Sequence, residues 1–85
     1  MIDARALPSQ VRAARSFLGW SIAELSAAAG VSVRTIKYFE SEQKEPSTKE
    51  ATVAKLTKAL ESAGIEFIGT PDDGPGIRLR PKPTT

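Results

Sequence analysis

Three glycines divide most of this chain into short helical pieces. Gly19, Gly30 and Gly64 each follow a segment whose apolar residues recur at helical spacing, and glycine readily takes the left-handed turn that closes a helix. The segments closed by Gly19 and Gly30 fall short of the ~12–15 residues at which an isolated helix becomes marginal in water. They must therefore bury their apolar faces against other elements. With 85 residues the chain makes one domain at most, with a compact, helix-rich core or one helped by a partner.

The first six residues read as a flexible lead. A first helix is predicted from Pro8, because proline suits the first helical position, where its missing N–H leaves no bond unmade. Leu7, Val11, Ala14 and Leu18 line its apolar face, and Gln10, Arg12 and Ser16 point elsewhere. A second helix opens on a capping box, Ser21 with Glu24, and runs through small residues to Gly30. A third starts at Ser32 as N-cap, with Ile36 and Phe39 inward and Val33, Arg34, Lys37 and Tyr38 outward. Residues 41–46 are polar and aperiodic, a loop. A fourth helix is predicted behind another capping box, Ser47 with Glu50, burying Val53, Leu56, Leu60 and Ala63.

After Gly64 the period changes. Residues 65–68 and 77–80 alternate as strands do, and residues 69–76 between them hold glycine, proline and aspartate. Two strands alone are marginal in water, so this ribbon needs the helices or a second chain beside it. Residues 81–85 are expected to be a disordered tail. The fold class is thus mainly α: four helices followed by two short C-terminal β-strands. The expected organisation is a helical domain over 1–64, a β segment over 65–80 that is a candidate dimerisation element, and the tail.

Composition narrows function by exclusion. There is no cysteine and no histidine, which removes thiolate nucleophiles, imidazole bases, disulfides and the usual zinc ligands. No catalytic residue, metal or cofactor is expected, and an enzyme is a poor reading. No apolar run approaches a membrane span, and the N-terminus lacks the pattern of a signal peptide, so a cytoplasmic location is expected. The net charge of +2 is weak evidence for a nucleic-acid partner. Arg34, Lys37 and Lys44 concentrate in one stretch, but Glu40, Glu42 and Glu45 dilute it.

The stretch Ser21 to Glu40 carries the strongest signal. A short helix, a glycine corner and a second helix with Ile36 turned inward have the layout of a helix-turn-helix. The run Val11-Arg12-Ala13-Ala14-Arg15, then Gly19-Trp20-Ser21-Ile22-Ala23-Glu24-Leu25-Ser26, Ala29-Gly30-Val31-Ser32, Thr35-Ile36, Phe39-Glu40 and Pro46 resembles the XRE family, the lambdoid-repressor and Cro-type regulators. The likeness covers roughly residues 8–63.

The resemblance implies that the third helix enters the major groove of DNA and that the following loop meets phosphate. It places Val33, Arg34 and Tyr38 at base-facing positions with Lys37 beside them. It puts Ser32 at the helix N-terminus near the backbone and Lys44 in the phosphate-contacting loop. It also implies a structural pair between Arg15 and Glu40. Ile22 stands where the family carries a phosphate-gripping glutamine, and Ser26 where it carries alanine. The family's common fifth helix is replaced here by the strand segment.

Each residue also has a plainer reading. Arg34 suits guanine, whose O6 and N7 accept two bonds from one guanidinium, or it is a solvated surface arginine. Lys37 and Lys44 meet phosphate or only water. Val33 and Tyr38 touch a thymine methyl or sugar, or pack on the helix. Trp20 reads as core or core edge. Arg78 and Arg80 share a strand face and either meet phosphate or pair with Glu66, the preferred reading. Phe67, Ile77 and Leu79 would then lie on the opposite face, where a second copy could cover them.

The expected function is a homodimeric DNA-binding transcriptional regulator, a repressor, reading an inverted-repeat operator in double-stranded DNA through helix 32–41. The alternative is a helix-turn-helix module that binds another protein, as an antitoxin or antiactivator, through the C-terminal segment.

Overall fold

A computed structural model describes residues 6–41, 49–70 and 72–80. Four helices, α1 (Pro8–Leu18), α2 (Ile22–Ala29), α3 (Val33–Glu40) and α4 (Glu50–Ser62), are followed by the strands β1 (Ile65–Thr70) and β2 (Asp73–Leu79). The four-helix, two-strand plan is the one expected from the residue pattern.

The helices share one core. Val11, Ala14, Leu25, Ile36, Phe39, Leu56 and Leu60 have no exposed surface, and Val53 almost none. Burying each of the larger side chains contributes about 1.5–3 kcal/mol. Leu7 and Leu18, at the ends of the α1 stripe, are only half-buried. Ala6 is not part of a flexible lead: at 2% exposure it belongs to the core. The remainder of that lead, residues 1–5, lies outside the described residues, as does the tail 81–85. Trp20 packs at the edge of the core.

The helix starts differ in kind. Ser21 and Glu24 form the expected reciprocal cap of α2, with Glu24 N donating to Ser21 Oγ at 3.1 Å and Ser21 N to Glu24 Oε1 at 2.7 Å. α4 instead begins at Glu50 with Lys49 as its N-cap and no side-chain cap. The expected partner of Glu50, Ser47, lies outside the described residues. The chain turns between α2 and α3 at Gly30, whose φ of 69° is left-handed, a conformation that costs a side-chain-bearing residue more than it costs glycine.

β1 and β2 form an antiparallel hairpin with Ile65 opposite Leu79, Glu66 opposite Arg78 and Phe67 opposite Ile77. β1 runs past the expected limit of 68 to Thr70 and β2 begins at Asp73, before 77, but ends at Leu79, one residue short of 80; the register shifts between Ile68 and Thr70, and pairing resumes at Thr70 with Asp73. The register shift falls at Gly69, a residue that reads as loop in sequence. The alternation places Ile65 in the core, and Phe67 and Ile77 pack against it. Phe67 and Ile77 are thus partly covered by the chain's own core, and Leu79 remains 43% exposed.

Gln10 also departs from the residue pattern. It is buried instead of pointing away from the core. Its Oε1 accepts from Leu7 N at 2.9 Å, and its Nε2 donates to the carbonyls of Ile68 at 3.3 Å and Gly76 at 2.9 Å. One amide thereby caps the start of α1 and holds both strands of the hairpin. Buried amides need such partners, and the strand carbonyls that supply them come from some sixty residues away in sequence, as the Ile68 separation of 58 shows.

Candidate nucleic-acid interface

The outward side of α3 is built from its two ends. At the start, Thr35 N donates to Ser32 Oγ at 3.1 Å, and the Ser32 hydroxyl donates to Thr35 Oγ1 at 2.8 Å. Ser32 is thus the N-cap expected, with its hydroxyl engaged by Thr35. At the far end, Ser41 N donates to the carbonyls of Lys37 and Tyr38, and Ser41 Oγ donates to Tyr38 O at 2.8 Å. Between them, Ile36 and Phe39 anchor the inner side.

Two arginines of α1 fasten this helix. Arg15 donates through Nε and Nη2 to the Glu40 carboxylate and through Nη1 to Trp20 O at 2.9 Å. It therefore joins the end of α3 to the corner before α2. Hydrogen bonding to Glu40 raises the Arg15 pKa above its already high ordinary value, so the guanidinium stays charged. Arg12 Nη1 donates to the main-chain carbonyl of Glu40 at 2.6 Å, satisfying an end-of-helix acceptor. By periodicity alone Arg12 only points away from the apolar face of α1. Its one signal was a spacing of three from Arg15, which puts both on one side of α1.

The expected DNA-contacting residues fall together, with one outside view. Val33 is 37% and Tyr38 58% exposed, and Arg34 and Lys37 are exposed on the same helix. Neither Arg34 nor Lys37 forms an ion pair with another described residue. Lys44 lies outside the described residues. Ile22, in the position where glutamine would grip phosphate, is half-buried against the core.

Arg78 and Arg80 do pair with Glu66, Arg78 at 3.4 Å and Arg80 through its Nε. These bonds, that from Arg80 first, hold the Glu66 carboxyl below its ordinary pKa. Among the described residues no group of acids, histidines or cysteines could hold a metal ion, and no helix is long and apolar enough to cross a membrane.

No curated protein matches the chain. A family model described as helix-turn-helix matches residues 11–63, more than half of the chain and including both arginine anchors, α2, the Gly30 corner and α3. With that match laid over this geometry, the chain belongs to the XRE-type helix-turn-helix family of DNA-binding regulators.

Proposed function

We propose that the protein is a sequence-specific transcriptional repressor that binds an inverted-repeat operator as a homodimer, with α3 in the major groove. The observation that carries this reading is the division of α3. Ile36 and Phe39 are wholly buried, while Val33, Arg34, Lys37 and Tyr38 face outward and the helix is pinned at Glu40 by two arginines. A rigidly held helix with a basic, partly apolar outer side suits base reading. Arg34 takes the guanine role, Val33 and Tyr38 meet methyl or sugar, and Lys37 and Lys44 meet phosphate. Ser32 brings the helix N-terminus to the DNA backbone. In a two-fold dimer the paired helices would enter grooves about 34 Å apart.

The segment 65–80 serves in this reading as the dimerisation element, through the exposed Leu79 and the strand edges rather than through Phe67 and Ile77. Leu79→Glu is then expected to yield monomers in sedimentation while the fold is kept. A dimer of unchanged stability would move the interface elsewhere.

Selection of bound duplexes from random DNA, with Arg34→Ala as the companion protein, tests the whole. An inverted repeat whose preference relaxes at one base pair in the variant is the expected result. No enrichment at low salt would overturn the reading.

A further inference from the structure

A groove of about 420 Å³, open to solvent, runs between the end of α2 and α4. It is lined by Ala28, Ala29, Ala59 and Ala63 together with Trp20, Lys55 and Lys58. No residue of α3 or of the hairpin lines it. We infer that this groove is a docking site for a partner protein, taking a segment that carries a bulky aliphatic or aromatic side chain beside one or more carboxylates.

Three features argue for that occupant. Alanine side chains leave depth that a larger apolar side chain fills, and the tryptophan supplies broad apolar surface of the kind that anchors interfaces. Lys55 and Lys58, three residues apart, occupy neighbouring positions on one side of α4. Neither makes an ion pair with another described residue, so a carboxylate is their natural complement. Because α3 is no part of the groove, such a partner and DNA can be held at once.

A displayed library of random peptides, selected on the full chain, is the test. Trp20 is the sole tryptophan, so its emission reports binding at the groove directly. Enriched peptides are expected to pair a carboxylate with a bulky apolar residue and to shift Trp20 emission. They should bind about tenfold or more weakly to K55E/K58E, and weakly to Ala28→Leu, which puts a larger side chain into the lining without changing charge. Both substitutions are at exposed positions, and DNA binding is expected to survive them. The proposal is overturned by an absence of enrichment over K55E/K58E, or by peptides that leave Trp20 emission unmoved. It is equally overturned if Trp20 emission changes with protein concentration alone and peptides do not bind, since a second copy would then fill the groove.

Discussion

Arg15 and Glu40, twenty-five residues apart, meet as a two-pronged pair: Nε reaches Oε2 at 2.9 Å and Nη2 reaches Oε1 at 2.8 Å. The carboxylate is nearly buried, at 6% exposure against 18% for the arginine. A parallel pair of charge-assisted bonds fixes direction as well as distance. It holds the end of α3 on α1, and the third Arg15 donor, on Trp20 O, brings the α2 corner into the same joint.

Arg15→Met removes the charge and keeps much of the stem. The buried Glu40 carboxylate then lacks its partner, a loss expected to cost about 3 kcal/mol, the lower end for broken buried pairs because Arg15 is partly exposed. Urea denaturation measures it. A loss within 0.5 kcal/mol, the range of ordinary surface substitutions, would show that the pair is not structural.

Gln10→Glu discriminates donation from mere size. An ionised glutamate cannot donate to the carbonyls of Ile68 and Gly76 that Nε2 now serves. A destabilisation of about 1–3 kcal/mol is expected at neutral pH, with faster amide exchange concentrated in β1 and β2. Protonation restores a donor, so the deficit should narrow in acid. A pH-independent deficit would mean that bulk, not the hydrogen bonds, holds the hairpin.

The Glu66 carboxyl is expected to titrate below its ordinary range, chiefly because of Arg80. The sign follows from linkage. A carboxylate whose folded pKa is depressed stabilises the fold above its unfolded value, roughly pH 4.3, and that contribution disappears as pH falls through the folded pKa. Carboxyl-carbon NMR should show the depression in the parent and its relief in Arg80→Ala with Arg78→Ala. An ordinary pKa in the parent would mean that water screens these exposed pairs completely.

Gly69 and Gly30 should answer alanine differently. Both have positive φ, 76° and 69°, but a Cβ at Gly69 would run into the Gly74 carbonyl while one at Gly30 meets nothing within 4 Å. Gly30→Ala is expected to cost about 1 kcal/mol from backbone strain alone. Gly69→Ala should cost more and should disorder the end of the hairpin, seen by thermal melting and amide exchange. Equal costs would remove the steric part of this account.

Lys44 lies between α3 and α4 in sequence. If it meets phosphate, Lys44→Ala weakens binding to all sequences alike and lowers the salt slope by about one. Arg34→Ala instead costs about 1–3 kcal/mol and relaxes a single position. Binding measured on operator and random DNA across salt concentrations separates the two roles.

The helical plan was legible because its determinants are local. The Ser21 and Ser32 caps, the Gly30 corner and the three-and-four spacing of Val11, Ala14, Val53, Leu56 and Leu60 act within a few residues of themselves. So does the outward placement of Val33, Arg34, Lys37 and Tyr38, which follows from the burial of Ile36 and Phe39 on the same short helix. The strand period that sets Glu66 against Arg78 is local too, once the hairpin closes.

Only the tertiary structure decided what crosses between elements. Gln10 reads as a surface residue because its side chain is polar, although at three residues from Leu7 and four from Ala14 it borders the apolar stripe, and the hairpin arrives there and buries its amide. Arg12 had no visible task until α3 ended beside it with an open carbonyl. Ala6 preceded the first helix and looked idle, but the core extends over it. Phe67 and Ile77 form one strand face by sequence, while the packing of the hairpin against the helices determined that this face is partly covered within the chain. Periodicity states which side of an element is apolar. The partner for that side, and for each polar group near it, depends on where distant segments are brought, and that is a property of the assembled fold.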